Sequence, residues 1–117
     1  EREHPILFCS TYEAGNKIPD DMKNEKNDKR TTLLGYKKQS ELVQLELAKV
    51  IDNFNRRNES LVIEGVHLTV GFITKMCTKY PTCIPFVLHI KQKQKHAERF
   101  AVRAKEMTVD PKFNKYI

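Results

Sequence analysis

Residues 31 to 54 read TTLLGYKKQSELVQLELAKVIDNF, and this stretch decides the fold. One set of its side chains, mostly apolar, recurs at alternating steps of three and four residues, which places the set on one face of a helix. The members of this face are Leu33, Tyr36, Ser40, Val43, Leu47, Val50 and Phe54. The sequence therefore predicts an amphipathic helix of about six turns. Thr31 or Thr32 is its expected cap, and residues 53 to 57 mark its end.

Two short apolar runs follow this helix, at residues 60–65 (SLVIEG) and 84–90 (IPFVLHI). Both are apolar at consecutive positions, which is typical of strands buried on both faces of a parallel sheet. Between them, Val66, Val70, Ile73 and Met76 step by four, three and three. They indicate a second helix that Pro81 ends. With a third helix from Lys91 onward, the order of elements predicts an α/β fold with a parallel sheet and flanking helices.

The composition predicts one small domain. The 117 residues include 21 Lys and Arg against 15 Asp and Glu, a net charge of +6, and this length suits a single domain over 1–117. Residues 16–32 have almost no apolar side chains, so we expect a charged surface loop or insertion there. Because no apolar run is long enough to span a membrane and no signal peptide opens the chain, we expect a cytoplasmic protein. The odd number of cysteines predicts free thiols rather than a disulfide framework.

The glycines exclude a phosphate-binding loop within this sequence. A backbone cradle for nucleotide phosphates needs clustered glycines whose amides face the anion. The four glycines of this chain lie far apart, at positions 15, 35, 65 and 71. Neither of the common glycine-rich nucleotide motifs, G-x-x-x-x-G-K-[ST] and G-x-G-x-x-G, is present.

Positive charge is concentrated near the end of the sequence. Residues 91–105 contain six Lys and Arg and a single acid, Glu98, which indicates an anionic partner. Lys95, Arg99 and Arg103 are four residues apart, so on a helix they form one basic ridge. Guanidinium groups match phosphate oxygens two at a time. The alternative is a solvated helix face without a partner, and the composition alone favours that alternative.

Two residues near the first predicted strand have a possible chemical role. Glu64 closes that strand, and an acid at the carboxyl end of a strand often binds magnesium or an acceptor hydroxyl. A carboxylate that accepts backbone amides from the next loop would give the same sequence. His67 could orient an anion, or it could cap the following helix, and the sequence favours the cap. The four histidines show no metal-ligand spacing.

Four segments of the chain, taken in order, match a known pattern: 10–15 (STYEAG), 35–41 (GYKKQSE), 62–68 (VIEGVHL) and 98–116 (ERFAVRAKEMTVDPKFNKY). They resemble the 2-phosphoglycerate kinase-like P-loop proteins, a group of archaeal enzymes and long plant proteins, some of them linked to inositol polyphosphate synthesis. Together they extend over nearly the whole chain, and only the charged stretch at 16–32 is unmatched.

The resemblance implies a P-loop NTPase fold and an ATP-dependent kinase that phosphorylates a small phosphorylated alcohol such as 2-phosphoglycerate. Glu64 would bind magnesium and lie beside the acceptor, as a catalytic and metal-binding residue. Arg99 and Arg103 would be catalytic residues of a mobile basic lid that binds the ATP phosphates, together with Lys95. Tyr12, Lys38 and His67 would contact the phosphorylated substrate.

The sequence also departs from this family. The Walker A strand and loop of the family lie upstream of the segment that here begins at His4, so we expect an internal segment of a kinase domain. ATP and Mg²⁺ are expected only together with that missing part, and this segment alone is expected to be inactive. Two alternatives remain: a relative that acts on inositol phosphates in phytate metabolism, or a noncatalytic module that binds anions or regulates. The scarcity of aromatic residues near the basic ridge argues against nucleic acid as the partner.

Overall fold

A computed structural model describes residues 4–22 and 28–106 of the chain. Three short 3-10 helices come first, at Pro5–Phe8, Ala14–Lys17 and Asp20–Met22. Three α-helices follow: α1 at Asp28–Arg57, α2 at Val70–Lys79 and α3 at Lys93–Glu106. The chain divides into two compact units, Glu1–Pro85 and Phe86–Ile117.

The predicted parallel sheet is wrong, because the described residues are helical and contain no β-strand. Residues 61–65 and 84–90 lack regular secondary structure, and most of their side chains are exposed rather than buried. Val62 is 94% exposed and Phe86 is 87% exposed. A strand needs a neighbouring strand to pair its backbone groups. A run of β-branched residues supplies only a preference for extended backbone, so it does not produce a sheet without that neighbour.

The long amphipathic helix is confirmed as α1, and it begins earlier than the pattern predicts. It starts at Asp28 instead of Leu33, so the predicted loop at 16–32 already contains its first turn. Residues 23–27 of that loop lie outside the described residues. The helix ends at Arg57, and Asn58 follows in the left-handed region with φ 54°. The amide of Glu59 donates to the carbonyl of Phe54 at 3.0 Å, the 6→1 bond of a Schellman cap.

The first half of α1 packs against the opening 3-10 helices. Ile6, Ala14 and Ile18 form a small buried core, flanked by Leu34 and Leu42 of the helix. The backbones also come very close at two glycines. A Cβ atom built on Gly35 would lie 2.0 Å from the backbone nitrogen of Gly15. Since no side chain fits there, glycine at position 35 permits this close contact.

The second half of α1 packs against α2. Phe72, Met76 and Tyr80 form the buried core of this contact. The partly buried residues packed around them are Leu47, Ala48, Ile51, Leu68 and Cys83. At the start of α2, Thr69 is the cap, because its hydroxyl accepts the amide of Phe72 at 3.3 Å. The expectation that His67 caps this helix is therefore wrong.

Not every member of the predicted apolar face of α1 is buried. Leu33 and Val50 are exposed, because the partners of this helix contact it over two separate patches. Gln39, outside the predicted face, is only 3% exposed. Its Nε2 group donates to the carbonyls of Ile6 at 2.8 Å and Cys9 at 3.1 Å. Its Oε1 atom is buried and has no hydrogen-bond partner in the part of the chain that the structure describes.

The three cysteines are free and half-buried. The thiol of Cys9 donates to the carbonyl of Ile6 at 3.3 Å. Burial, and to a lesser extent the nearby carboxylate of Glu13, raise the pKa of this thiol above its ordinary value. No described helix is both long and apolar enough to cross a membrane.

Candidate functional site

A row of polar side chains on α1 holds the turn that connects it to α2. Tyr36, Ser40 and Gln44 are four residues apart, so they lie on one side of the helix. All three contact residues 66–69. The hydroxyl of Tyr36 donates to the carbonyl of Val66 at 2.7 Å. Over about two turns of α1, hydrogen bonds from polar side chains therefore connect the helix to residues 66–69.

Tyr36, Ser40 and Gln44 form a polar cluster around His67, and each of them contacts this residue. Its Nδ1 atom is 3.1 Å from the hydroxyl oxygen of Ser40, and its ring stacks on Tyr36 with 5.8 Å between the ring centres. The Nε2 group of Gln44 donates to the backbone carbonyl of His67 at 2.7 Å and to the hydroxyl of Thr69 at 3.1 Å. The ring and the backbone of His67 are therefore both fixed by residues of α1.

The second ring nitrogen of His67 is available to a ligand. No described residue forms a hydrogen bond with Nε2, whereas Nδ1 contacts Ser40. Burial lowers the pKa of His67 below its ordinary value of 6.5, because a partly desolvated imidazole resists taking a positive charge. Burial therefore favours the neutral form of the ring. When Nδ1 carries the proton, Nε2 presents a lone pair that accepts a hydrogen bond or a proton.

Glu64 lies three residues before His67, in an irregular segment instead of at the end of a strand. Its side chain is exposed, and it makes no hydrogen bond or ion pair with another described residue. A single exposed carboxylate matches the one or two carboxylates by which Mg²⁺ is usually bound together with phosphates and water. No group of three or more potential metal ligands occurs among the described residues. The role of Glu64 in binding metal stays a prediction.

The other two predicted substrate residues lie apart from the hydrogen bonds around His67. Tyr12 is half-buried in the turn at 11–13. The Nζ atom of Lys38 lies 3.4 Å from Glu41 Oε2, and each side chain is nearly half exposed. An exposed pair of this kind contributes little to stability. The substrate contacts of Tyr12 and Lys38 stay predictions.

The predicted basic ridge lies on α3. Lys95, Arg99 and Arg103 are exposed and spaced by four residues along this helix. None of the three forms an ion pair with another described residue. Beside them, His96 and Phe100 make an edge-to-face ring contact with 4.6 Å between centres. Residues 107–116, the end of the fourth resembling segment, lie outside the described residues.

A further polar cluster, which the sequence reasoning missed, fixes the end of α2 on α1. Asp52 accepts a hydrogen bond from the hydroxyl of Tyr80 and forms an ion pair with Arg56 at 2.7 Å. The Nζ atom of Lys79 lies 3.8 Å from Asp52 and 4.9 Å from the centre of the Tyr80 ring. The hydrogen bond from Tyr80, followed by the charge of Arg56, holds the pKa of Asp52 below its ordinary value. This arrangement anchors the helix pair.

The sequence predicted His67 as a site residue but did not identify Ser40 and Gln44. Ser40 was assigned to the apolar face of the helix, and Gln44 was not considered. One signal in the sequence could have identified them. Positions 36, 40 and 44 are polar and follow one another at four-residue steps, on a face that elsewhere is mostly apolar. Such a polar row within a buried face indicates hydrogen-bonded partners.

Known proteins resemble most of this chain. A protein of Dictyostelium discoideum, described as uncharacterized, is 44% identical over 115 residues, which are 98% of this chain and 13% of that protein. The 2-phosphoglycerate kinase of Methanococcus maripaludis strain C5 is 30% identical over 101 residues, 86% of this chain and 32% of the kinase. The chain is a distant homologue of archaeal 2-phosphoglycerate kinases.

A second kinase supports the same relationship. The 2-phosphoglycerate kinase of Methanothermobacter thermautotrophicus is 27% identical over 113 residues, which are 97% of this chain and 36% of the kinase. The chain therefore spans about a third of the length of these kinases. No protein-family model and no solved structure matches the sequence.

Proposed function

We propose that this chain is part of an ATP-dependent kinase that phosphorylates a small phosphorylated alcohol of the 2-phosphoglycerate type. The observation that carries the proposal is the similarity to 2-phosphoglycerate kinases over 86% of the chain. ATP would supply the γ-phosphoryl group, and Mg²⁺ would neutralise part of the phosphate charge. The polar cluster around His67 lies in the part of the chain that the sequence resemblance assigns to the acceptor.

The three cations of α3 suit the phosphate side of this reaction. Lys95, Arg99 and Arg103 present their charges on one helix face, and no described acid neutralises them. Phosphoryl transfer depends mainly on positioning and on stabilising negative charge. Arg99 and Arg103 would each donate two parallel hydrogen bonds to phosphate oxygens, while Lys95 would act as a point charge.

Three residues of the first unit have proposed roles beside the acceptor. Glu64 would provide one oxygen ligand to the magnesium ion, since its carboxylate is exposed and unpaired among the described residues. Tyr12 and Lys38 would bind the substrate through a hydroxyl and an ammonium group. Lys38 would exchange its weak contact with Glu41 for the substrate phosphate, which is the stronger anion.

An acceptor screen on the full-length protein tests the proposal. Release of ADP is measured with ATP and Mg²⁺ in the presence of 2-phosphoglycerate, 3-phosphoglycerate, glycerate or an inositol phosphate. We expect turnover with 2-phosphoglycerate. Arg103→Ala should lower kcat by about two orders of magnitude, whereas Lys75→Ala, which removes an exposed cation on α2, should leave it unchanged. Equal activity of the Arg103 variant and the wild type would contradict the assigned role.

A noncatalytic anion-binding or regulatory module is the second candidate. The exposed cations of α3, without partners among the described residues, favour this alternative because a binding surface needs only accessible charge. An inositol phosphate kinase-related protein would use the same chemistry with another acceptor. Binding of ATP or inositol phosphate without any ADP release would support the binding module. ADP release dependent on an inositol phosphate would instead identify the other acceptor class.

A further inference from the structure

The imidazole of His67 is more firmly positioned than a structural role requires. A histidine that only fills space needs one hydrogen-bond partner, whereas His67 has a partner for Nδ1, a ring stacked on it and a hydrogen bond to its own carbonyl. Gln44 also bonds Thr69, the cap of α2, so the turn is tied to both helices. These contacts fix the direction of the second ring nitrogen.

That second nitrogen has no protein partner. Nε2 makes no hydrogen bond within residues 4–22 and 28–106, and the ring is only partly buried. Ser40 is 3% exposed, so it cannot itself contact a substrate. Its hydroxyl is placed to accept the Nδ1 proton at 3.1 Å. In that tautomer the lone pair of Nε2 points away from Ser40, on the opposite side of the ring.

We propose that His67 is a catalytic residue that aligns the acceptor hydroxyl and takes its proton at Nε2, and that Ser40 is the residue that positions it. This inference rests on the proposed kinase function. As the hydroxyl oxygen forms a bond to the γ-phosphorus of ATP, its O–H bond breaks and the proton passes to Nε2. The bond between the γ-phosphorus and the bridging oxygen breaks, ADP leaves, and the imidazolium returns its proton to water.

The groups around His67 are consistent with a neutral base. From α1, the titratable phenol of Tyr36 faces the ring, and Ser40 and Gln44 are uncharged. Thr69 in the same turn is also uncharged. Burial is the cause of the lowered pKa of His67, with no contribution from a neighbouring charge. A base with a pKa below 6.5 is ready to accept a proton throughout the neutral range.

Variants of the full-length protein test this inference in the same ADP-release assay. His67→Ala should lower kcat by about 10²-fold and should recover activity when imidazole is added. His67→Asn keeps a group that can hydrogen bond to Ser40 but provides no base, so it should be as slow as His67→Ala and should fold normally. His89→Asn changes an exposed histidine of the second unit and should behave like the wild type.

The positioning role of Ser40 has a separate readout. Ser40→Ala should lower kcat about 10-fold with little change in KM, because removing an orienting partner leaves the ring free to rotate. In the His67→Ala background the same substitution should have no further effect on kcat. The kcat of the wild type should fall at acid pH, because protonation of His67 removes the base. This fall should be absent from the pH profile of His67→Asn.

The outcomes separate the two proposals. Wild-type protein that releases no ADP with any acceptor would overturn the proposed function, and the inference would fall with it. Active wild type with His67→Asn and His67→Ala within twofold of it would overturn the inference alone. Additive effects of Ser40→Ala and His67→Ala would refute the positioning role and indicate that Ser40 acts through the fold.

Discussion

Helix propensity and the packing of Gly35 predict opposite effects of Gly35→Ala on the stability of the fold. In the interior of an ordinary helix, alanine is more stable than glycine by about 0.5–1 kcal/mol. Gly35 lies within α1, so helix propensity alone predicts that Gly35→Ala is stabilising. The structure predicts the reverse. A Cβ at this position would lie 2.0 Å from the nitrogen of Gly15 and 2.4 Å from the carbonyl carbon of Ala14.

Both of those atoms belong to the backbone, so no rotamer change can remove the overlap. The 3-10 helix at Ala14–Lys17 would have to move away from α1 by about 1.5 Å, because carbon and nitrogen pack at roughly 3.5 Å. That movement would also open the small core around Ala14. Overpacking of this kind costs about 1–3 kcal/mol, and sometimes more. After the gain in helix propensity is subtracted, a net loss of up to about 2.5 kcal/mol is expected, and more if the backbone cannot move.

Gly71→Ala is the matched control. Gly71 lies in the first turn of α2, and a Cβ built on it meets no atom within 4 Å. This substitution should therefore be neutral or slightly stabilising. The measurement is the urea-unfolding midpoint of each purified variant, followed by circular dichroism. A Gly35→Ala protein as stable as the Gly71→Ala protein would refute the close backbone contact between α1 and the 3-10 helix.

Two further predictions concern buried or paired polar groups. The lowered pKa of Asp52 means that this carboxylate stabilises the fold above its unfolded pKa, near 3.8, and that this contribution is lost as the pH falls through the folded value. Asp52→Asn should therefore reduce the drop in the urea midpoint between pH 5 and pH 2, and an unchanged drop would contradict the assignment. Gln39→Glu would place a carboxylate against two carbonyls that now receive hydrogen bonds. It should cost about 1–3 kcal/mol or more at pH 7, and the difference from wild type should shrink at pH 4, where the carboxyl regains a proton to donate.

The helices could be predicted from the sequence because their apolar positions repeat at the helical period. The pattern that starts at Leu33 identified α1, although its polar first turn from Asp28 carries no apolar signal. The stripe from Val66 to Met76 identified α2, which begins only at Val70, because residues 66–69 form the turn that α1 holds. The third helix was predicted from Lys91 onward and begins at Lys93.

The strands and most of the site could not be predicted. The run that contains Val62 has the composition of a buried strand, but burial depends on neighbours that a local pattern does not contain. His67 was singled out because it follows Glu64 closely in the sequence. Its actual partners, Ser40 and Gln44, are 27 and 23 residues away. Only the packing of α1 against the turn brings these residues together.

Gln39 and Ser40 are consecutive residues of α1 that form hydrogen bonds with different parts of the chain. Neighbouring side chains on a helix project about 100° apart, and here one reaches the carbonyls of Ile6 and Cys9 while the other reaches the ring of His67. Both sets of contacts therefore depend on the same rotation of α1 about its axis. A ligand that rotated α1 through its contact with His67 would also displace the side chain of Gln39. We therefore expect binding at His67 to alter amide exchange around Cys9, whose carbonyl Gln39 binds.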